Sequence, residues 1–302
     1  MDIKFSVVIP VYNVEKYLAR AIDSVLLQDE VDDIILVEDA SPDNALKVCK
    51  YYEKKHKKVS LYRHPNNENK GAGATRNLGI EKAKNEWVAF LDADDYYLPN
   101  RFRKTVETIN RSSDIDGVYE AVRNGFENEI QKEKFLKTRP KNFSDAEKQL
   151  NFHVFKEVPP EMLFNTLIKG SCGFIHLNGL SVKKSLVKTC GMFDPQFRIM
   201  QDTYLIYKLS AIGKLYNGGL EHIVAERVLH DNNRITHVGK REMVQSRISM
   251  FENLLTWAIS KKVDSQILND INWKIAVSEM ELGKSSFIVF IKKLIRKINF
   301  SL

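Results

Sequence analysis

Three short apolar runs stop abruptly at polar side chains, and this pattern more than any other limits how the chain can fold. Phe5-Ser6-Val7-Val8-Ile9 leads into Pro10-Val11-Tyr12-Asn13, Ile34-Ile35-Leu36-Val37 into Glu38-Asp39, and Trp87-Val88-Ala89-Phe90-Leu91 into Asp92-Ala93-Asp94-Asp95. Runs of four or five apolar residues bounded by polar ones read as strands covered on both faces. Between them, residues 14–27, 44–57 and 73–84 have helical character, and in the first of these Leu18, Ile22, Val25 and Leu26 fall at helical spacing. Alternating strands and helices build βαβ units, whose right-handed crossovers set the strand ends on one rim. Ligands of open α/β sheets bind outside that rim. The expected fold is α/β, a mostly parallel sheet flanked by helices, with its chemistry gathered at the polar strand ends.

The pattern continues with a strand at 59–62, a helix at 100–110 and a strand at 117–122. Residues 124–151 are polar, lysine-rich and weakly periodic, so an insertion or mobile loop is expected there. Pro159-Pro160-Glu161 starts a helix reaching residue 169. Beyond it, 174–182 reads as extended, 202–212 as helix, and 215–216 and 223–228 as strands. Helical patterns fill 239–262, 265–282 and 285–300. The expected organisation is one domain over 1–238, with halves at 1–122 and 123–238, followed by a helical C-terminal extension over 239–302.

At 302 residues, 43% hydrophobic and 28% charged, the chain has the make-up of a soluble globular protein. Cys49, Cys172 and Cys190 are too few and too scattered for a disulfide framework or a zinc site, which favours a reducing cytosol. Asp2 interrupts any signal-peptide pattern, and no apolar run approaches the roughly 20 residues that span a bilayer. A cytoplasmic protein is expected. The formal net charge of +7 attracts nucleic acid only non-specifically. No zinc spacing, RNA-binding aromatic signature or recognition helix accompanies it, so nucleic acid is not an expected partner.

The acidic segment has two readings. Carboxylate oxygens at a strand end suit a hard divalent cation, which can in turn hold a diphosphate. The alternative is an acidic turn capping the next helix, and Asp95 in particular reads as such a cap.

Four ordered segments, Ser6-Val7-Val8-Ile9-Pro10-Val11-Tyr12-Asn13, Val37-Glu38-Asp39-Ala40-Ser41-Pro42-Asp43, Gly71-Ala72-Gly73-Ala74-Thr75-Arg76-Asn77 and Phe90-Leu91-Asp92-Ala93-Asp94-Asp95, together resemble the family 2 glycosyltransferases of GT-A fold. The last matches that family's Asp-x-Asp signature. The resemblance implies an inverting, metal-dependent enzyme. It would move a sugar from a nucleotide-sugar, UDP-linked, to an acceptor hydroxyl on a lipid-linked surface-glycan intermediate. By the same likeness Asp94 is a direct ligand of Mn²⁺ or Mg²⁺, Asp92 touches the ribose or reaches the metal through water, and His230 is a third ligand. Asp39 would accept a hydrogen bond from the base, because an ionised carboxylate only accepts. Pro10, Val11 and Tyr12 would lie beside that base and Ala93 beside the nucleotide-sugar, although Tyr12 also reads as a core tyrosine with a wet hydroxyl. Arg76 would neutralise phosphate or orient the aspartates.

The resemblance makes Asp202 the general base, with a helix N-cap as its other possible role. Where the family usually has Glu-Asp this chain has Gln201-Asp202, so a neighbouring negative charge is missing. Residues 173–179, with His176 and Asn178, are expected on the acceptor side. Two competing readings exist. A haloacid-dehalogenase-type phosphatase would carry its Asp-x-Asp after the first strand, whereas here it follows the fourth. A non-catalytic glycan- or membrane-binding relative would have no need of Asp39, Asp92, Asp94 and Asp202, all present here.

From Leu282 to Leu302 there is no acidic residue, and Phe287, Ile291, Leu294, Ile295 and Ile298 share one side at helical spacing, flanked by Lys292, Lys293, Arg296 and Lys297. Such a helix suits an anionic membrane surface; packing on the protein body or on a partner is the alternative. Deleting residues 285–302 is therefore expected to release the protein from anionic vesicles in co-sedimentation. Each basic residue near such a surface contributes about 1 kcal/mol. Equal sedimentation of the truncated and full-length chains would rule the anchor out.

Overall fold

The computed structural model describes residues 3–137, 154–230 and 238–283. Strand β1 (Phe5–Val11) turns Phe5, Val7, Ile9 and Val11 toward helices α1 (Glu15–Leu26) and α2 (Ala45–Lys55), and Val8 toward the opposite face. Strand β2 (Val31–Glu38) does likewise, with Ile34 and Leu36 on the first face and Ile35 and Val37 on the second. Both faces are buried, as an unbroken apolar run requires. Next come β3 (Val59–Arg63), α3 (Gly71–Lys82), β4 (Trp87–Phe90), a two-residue β5 (Tyr96–Tyr97), α4 (Arg103–Ile109), β6 (Gly117–Phe126) and α5 (Glu129–Lys137). The second half contributes α6 (Pro160–Lys169), β7 (Leu180–Lys183), α7 (Lys184–Thr189), α8 (Gln201–Ile212), β8 (Leu215–Leu229), α9 (Lys240–Ser260) and α10 (Ser265–Glu281).

The eight strands form one sheet in the order β3-β2-β1-β4-β7-β6-β8-β5. Among the described residues four pairings are parallel (β1 with β2, β1 with β4, β2 with β3, β6 with β8) and three antiparallel. β1, β2 and β4 therefore end on one rim, as their sequences imply. At the opposite end Ser6 Oγ donates to Asp33 Oδ2 at 2.7 Å, and the Lys84 amide donates to the same oxygen at 3.0 Å. This buried tie holds the starts of β1, β2 and β4 in register.

Three local expectations change. Residues 124–126 extend β6, because β8 runs parallel beside them as far as Phe126 and Leu229, and 129–137 is helix; 138–151 lies outside the described residues. The two strands expected at 215–216 and 223–228 are one strand, β8, kept continuous by irregular register opposite Tyr119, Glu120 and Ala121. Gly218 allows it: a Cβ there would stand 2.6 Å from Glu120 Cγ. The extended segment at 174–182 narrows to a 3₁₀ turn at Leu177–Gly179 followed by β7.

Helices α9 and α10 pack against each other and against α6 and α8, and Phe251, Leu254, Ile271 and Ile275 join Leu205 and Leu209 in one core. No helix among the described residues is long and apolar enough to cross a membrane. The helix expected at 285–300 lies outside the described residues.

A buried ion pair joins the sheet to the loop after β5. Arg101 donates to Glu120 Oε2 at 2.5 Å, to the Asn178 carbonyl at 3.1 Å and to Ser181 Oγ at 3.3 Å, and both charged side chains are inaccessible to solvent. Burial raises the Glu120 carboxyl above its ordinary pKa, with Arg101 and Thr105 opposing. Removing one partner leaves the other charge buried alone. Arg101→Ala is accordingly expected to lower unfolding stability by about 3–5 kcal/mol in urea titrations, and a loss below about 1 kcal/mol would contradict the role assigned to the pair.

Candidate active site

The polar segment after β4 is held as a tight turn. The Leu91 amide still donates to Val8 O at 3.1 Å, continuing the sheet, and the Asp95 amide closes the turn on Asp92 O at 3.0 Å. The Asp92 amide donates to Asn178 Oδ1 at 3.1 Å, while Asn178 Nδ2 donates to Asp95 Oδ2 at 2.6 Å. Asp95 Oδ1 accepts from the Val228 amide at 2.7 Å. Two expectations are corrected here. Asp95 is not a helix cap: it is buried, both its oxygens are engaged, and the next helix begins only at Arg103. Asn178 is fully buried, so it supports the aspartate turn from behind and cannot face an acceptor.

Asp92 and Asp94 diverge. Asp92 Oδ1 accepts from Arg76 at 2.5 Å, and the Arg76 guanidinium lies 5.4 Å from the Phe193 ring centroid. Burial pushes the Asp92 carboxyl upward, but Arg76 and His176 outweigh it and leave its pKa below the ordinary value. Asp94 Oδ2 lies 3.0 Å from His230 Nε2, and Arg20 donates to the Asp94 carbonyl at 3.1 Å. The fold thus brings together Asp94 and His230, both expected as metal ligands. A partly exposed carboxylate beside an imidazole is a pair of donors suited to a divalent cation, while Asp92 lies on the same turn but is engaged by Arg76.

Asp92, Asp95 and His176 also present ligand atoms within 4.8 Å of one another. That trio fits a metal less well, because Asp95 is buried and ties the turn to Asn178 and Val228. His176 Nδ1 accepts from the Asn178 amide at 3.2 Å, which assigns the proton of the neutral ring to Nε2. Burial holds the His176 pKa below its ordinary value, against the pull of Asp92.

On the β2 side, Asp39 is nearly inaccessible. Its carboxylate accepts from the Lys70 amide at 2.7 Å and the Gly71 amide at 2.9 Å, anchoring the start of α3, and its own amide donates to Val11 O at 2.9 Å. Pro10 and Val11 are largely covered and Ala93 is buried, while Tyr12 is half-exposed at the rim and is not a core tyrosine. Gly71 adopts a left-handed φ of 81°, the backbone state that favours glycine at this entry to α3.

α3 also reaches the loop that leads to Asp202. Asn77 brackets Phe193, donating to its carbonyl at 2.8 Å and accepting from its amide at 2.9 Å. Gln201 is buried against Gly73, where a Cβ would stand 2.5 Å from Gln201 Oε1. A glutamate at 201 would bury a charge at that contact, so the neutral amide suits this packing. Asp202 is partly exposed in the first turn of α8, and its Oδ1 accepts from the adjacent Thr203 amide at 2.8 Å. Its charge pulls the His176 pKa upward, against the burial that holds it below the ordinary value. Sequence reasoning missed Tyr17, Arg20 and Glu127, which surround the Asp94–His230 pair; the only available signal was the helical spacing of Tyr17 and Arg20.

Comparison with known proteins places this geometry. The family model described as "Glycosyl transferase family 2" matches residues 6–168, more than half of the chain. The minor teichoic acid biosynthesis protein GgaB of Bacillus subtilis is 27% identical over 315 residues, covering 97% of this chain and 32% of that protein. The chain therefore spans about a third of that relative's length. Among solved structures, Staphylococcus aureus TarS 1–349 in complex with UDP-GlcNAc superposes with a TM-score of 0.59 at 16% identity, covering 91% of this chain and 80% of that one. The mannosyltransferase PcManGT of Pyrobaculum calidifontis, solved with GDP-Man and Mn²⁺, gives 0.52 at 17% identity, covering 93% and 74%. At these identities the structural likeness speaks for the fold, and that fold is the expected GT-A type; the phosphatase alternative falls. With the family model matched across all four motif segments, the chain belongs to glycosyl transferase family 2.

Proposed function

We propose that the chain transfers a sugar, with inversion, from a UDP-linked nucleotide-sugar to a hydroxyl of a bacterial surface-glycan intermediate. The observation that carries this reading is the meeting of Asp94 and His230 at 3.0 Å on the same rim as Asp92 and Asp39. The teichoic acid name of GgaB supports the acceptor class, and the UDP-GlcNAc in the TarS complex supports the donor class. A lipid-linked acceptor and peripheral contact of residues 285–302 with the inner face of the cell membrane complete the reading.

Asp94, His230 and Asp92 would hold a divalent cation, Mn²⁺ or Mg²⁺, and the Mn²⁺ in the PcManGT complex supports this assignment. Such a cation supplies positive charge for the diphosphate as it leaves. The remaining roles fall to the chain itself. Tyr12 offers an exposed ring beside the base. Asp39 has both oxygens committed to the start of α3, yet a carboxylate has about four acceptor sites, so an imide N–H can still be received. Arg76 acts through Asp92, aiming its carboxylate. Asp202 accepts the proton of the attacking hydroxyl, and its bond to the Thr203 amide limits its rotation without occupying Oδ2.

Asp94→Ala is expected to abolish transfer and metal-dependent donor binding with little change in melting temperature, because the side chain is partly exposed. Undiminished turnover at saturating Mn²⁺ would refute the ligand role. Asp202→Asn is expected to lower turnover about 10²–10⁴-fold while leaving donor affinity intact in calorimetry. Lost donor affinity would move Asp202 into the donor site.

A further inference from the structure

A ring of contacts closes around His230. The Tyr17 ring of α1 stacks on the imidazole, with centroids 4.7 Å apart and planes inclined by 26°. The Tyr17 hydroxyl donates to Glu127 Oε1 at 3.0 Å, and Lys16 pairs with the same carboxylate. The Glu127 amide in turn donates to Leu229 O at 3.2 Å, which holds the strand end that carries His230. Three residues further along α1, Arg20 lies 4.5 Å from the Tyr96 ring centroid and donates to the Asp94 carbonyl at 3.1 Å. Residues three apart share a helix face. One face of α1 therefore touches both members of the Asp94–His230 pair.

The physical need is plain. The ring torsion of a histidine is broad, so an imidazole at a strand end samples many planes unless something packs on its face. A nitrogen ligand is useful only when its lone pair is aimed at the metal.

We propose that Tyr17 is a positioning residue for His230. Its ring, steadied by Glu127, sets the imidazole plane so that Nε2 faces Asp94, where a divalent cation would take the place of the Nε2 proton, which leaves to solvent. This inference rests on the metal reading above and adds to it a part of the molecule, α1, that the resemblance left without a role. Tyr17 is only partly buried on the helix surface, so replacing it opens no core cavity.

Mn²⁺ titration of the full chain, followed by electron paramagnetic resonance of the free ion, tests the proposal. The variants are Tyr17→Ala, Tyr17→Leu, Tyr17→Phe and His230→Ala, each checked for an unchanged unfolding transition. Tyr17→Leu keeps apolar bulk on α1 without an aromatic plane, and covers the case in which Tyr17→Ala does not fold. Losing a residue that orients a ligand typically weakens metal binding about 10–100-fold. That loss is expected for Tyr17→Ala and Tyr17→Leu, while Tyr17→Phe retains the stack and most of the affinity. In the Tyr17→Ala/His230→Ala double variant the two losses should not add, because both act through one imidazole. Wild-type Mn²⁺ affinity in folded Tyr17→Leu, with His230→Ala weakened, overturns the positioning role and leaves the metal reading standing. Wild-type affinity in His230→Ala overturns the metal reading, and the proposal with it.

Discussion

The carboxylate of Asp95 accepts one hydrogen bond from Asn178 Nδ2 at 2.6 Å and another from the Val228 amide at 2.7 Å, and the site is assembled around those two bonds. They join the turn after β4, the segment before β7 and the end of β8. Burial, then the charges of Asp94 and Asp92, push the Asp95 carboxyl well above its ordinary pKa. The two donors offset that cost. Because Asn178 also accepts from the Asp92 amide, the tie sets the direction of Asp92. Val228 stands two residues before His230, so the same tie fixes the strand end that meets Asp94.

Four aspartates at one rim consequently do four different things. Asp39 anchors the first turn of α3, Asp92 pairs with Arg76, Asp94 faces His230 and Asp95 is buried as a tie. Environment separates them: backbone amides hold the first, a guanidinium the second, an imidazole faces the third, and the fourth lies in a dry interior. Only Asp92 and Asp94 keep a partly exposed carboxylate on the turn, which makes them the pair available to a ligand.

Helix α3 couples the two halves of the site. Its start is held by Asp39, Arg76 reaches Asp92, and Asn77 and Gly73 pack against Phe193 and Gln201 just ahead of Asp202. A shift of this helix would move the aspartate turn and the expected base together. Placement to a fraction of an ångström matters for transfer between two bound substrates, since orientation alone lowers a barrier by several kcal/mol.

Apolar runs and helical spacing were sufficient to read β1, β2, β4 and their helices, and the polar residues closing each run marked the rim. These are local properties: burial on two faces demands a continuous apolar stretch, and a parallel sheet places such strand ends together. The four motif segments added the family and, through it, Asp94, His230 and Asp202. What each polar group touches was not legible. Asp95 read as a cap because Asp is favoured ahead of a helix, and Asn178 as an acceptor contact together with the rest of 173–179; no periodicity reports that Val228, 133 residues away, supplies Asp95 with a donor. The continuity of β8 was hidden for a similar reason, since its irregular register depends on β6 as a template. Tyr17 read only as part of the helix at 14–27; its stack on His230, the residue that follows β8, is a contact between distant parts of the chain. Local properties of the chain specify β1, β2 and β4, the rim where they end and the chemical groups brought to it. Tertiary structure alone decided which carboxylate is buried, which is paired and which faces an imidazole, because those states depend on partners up to 136 residues away along the chain.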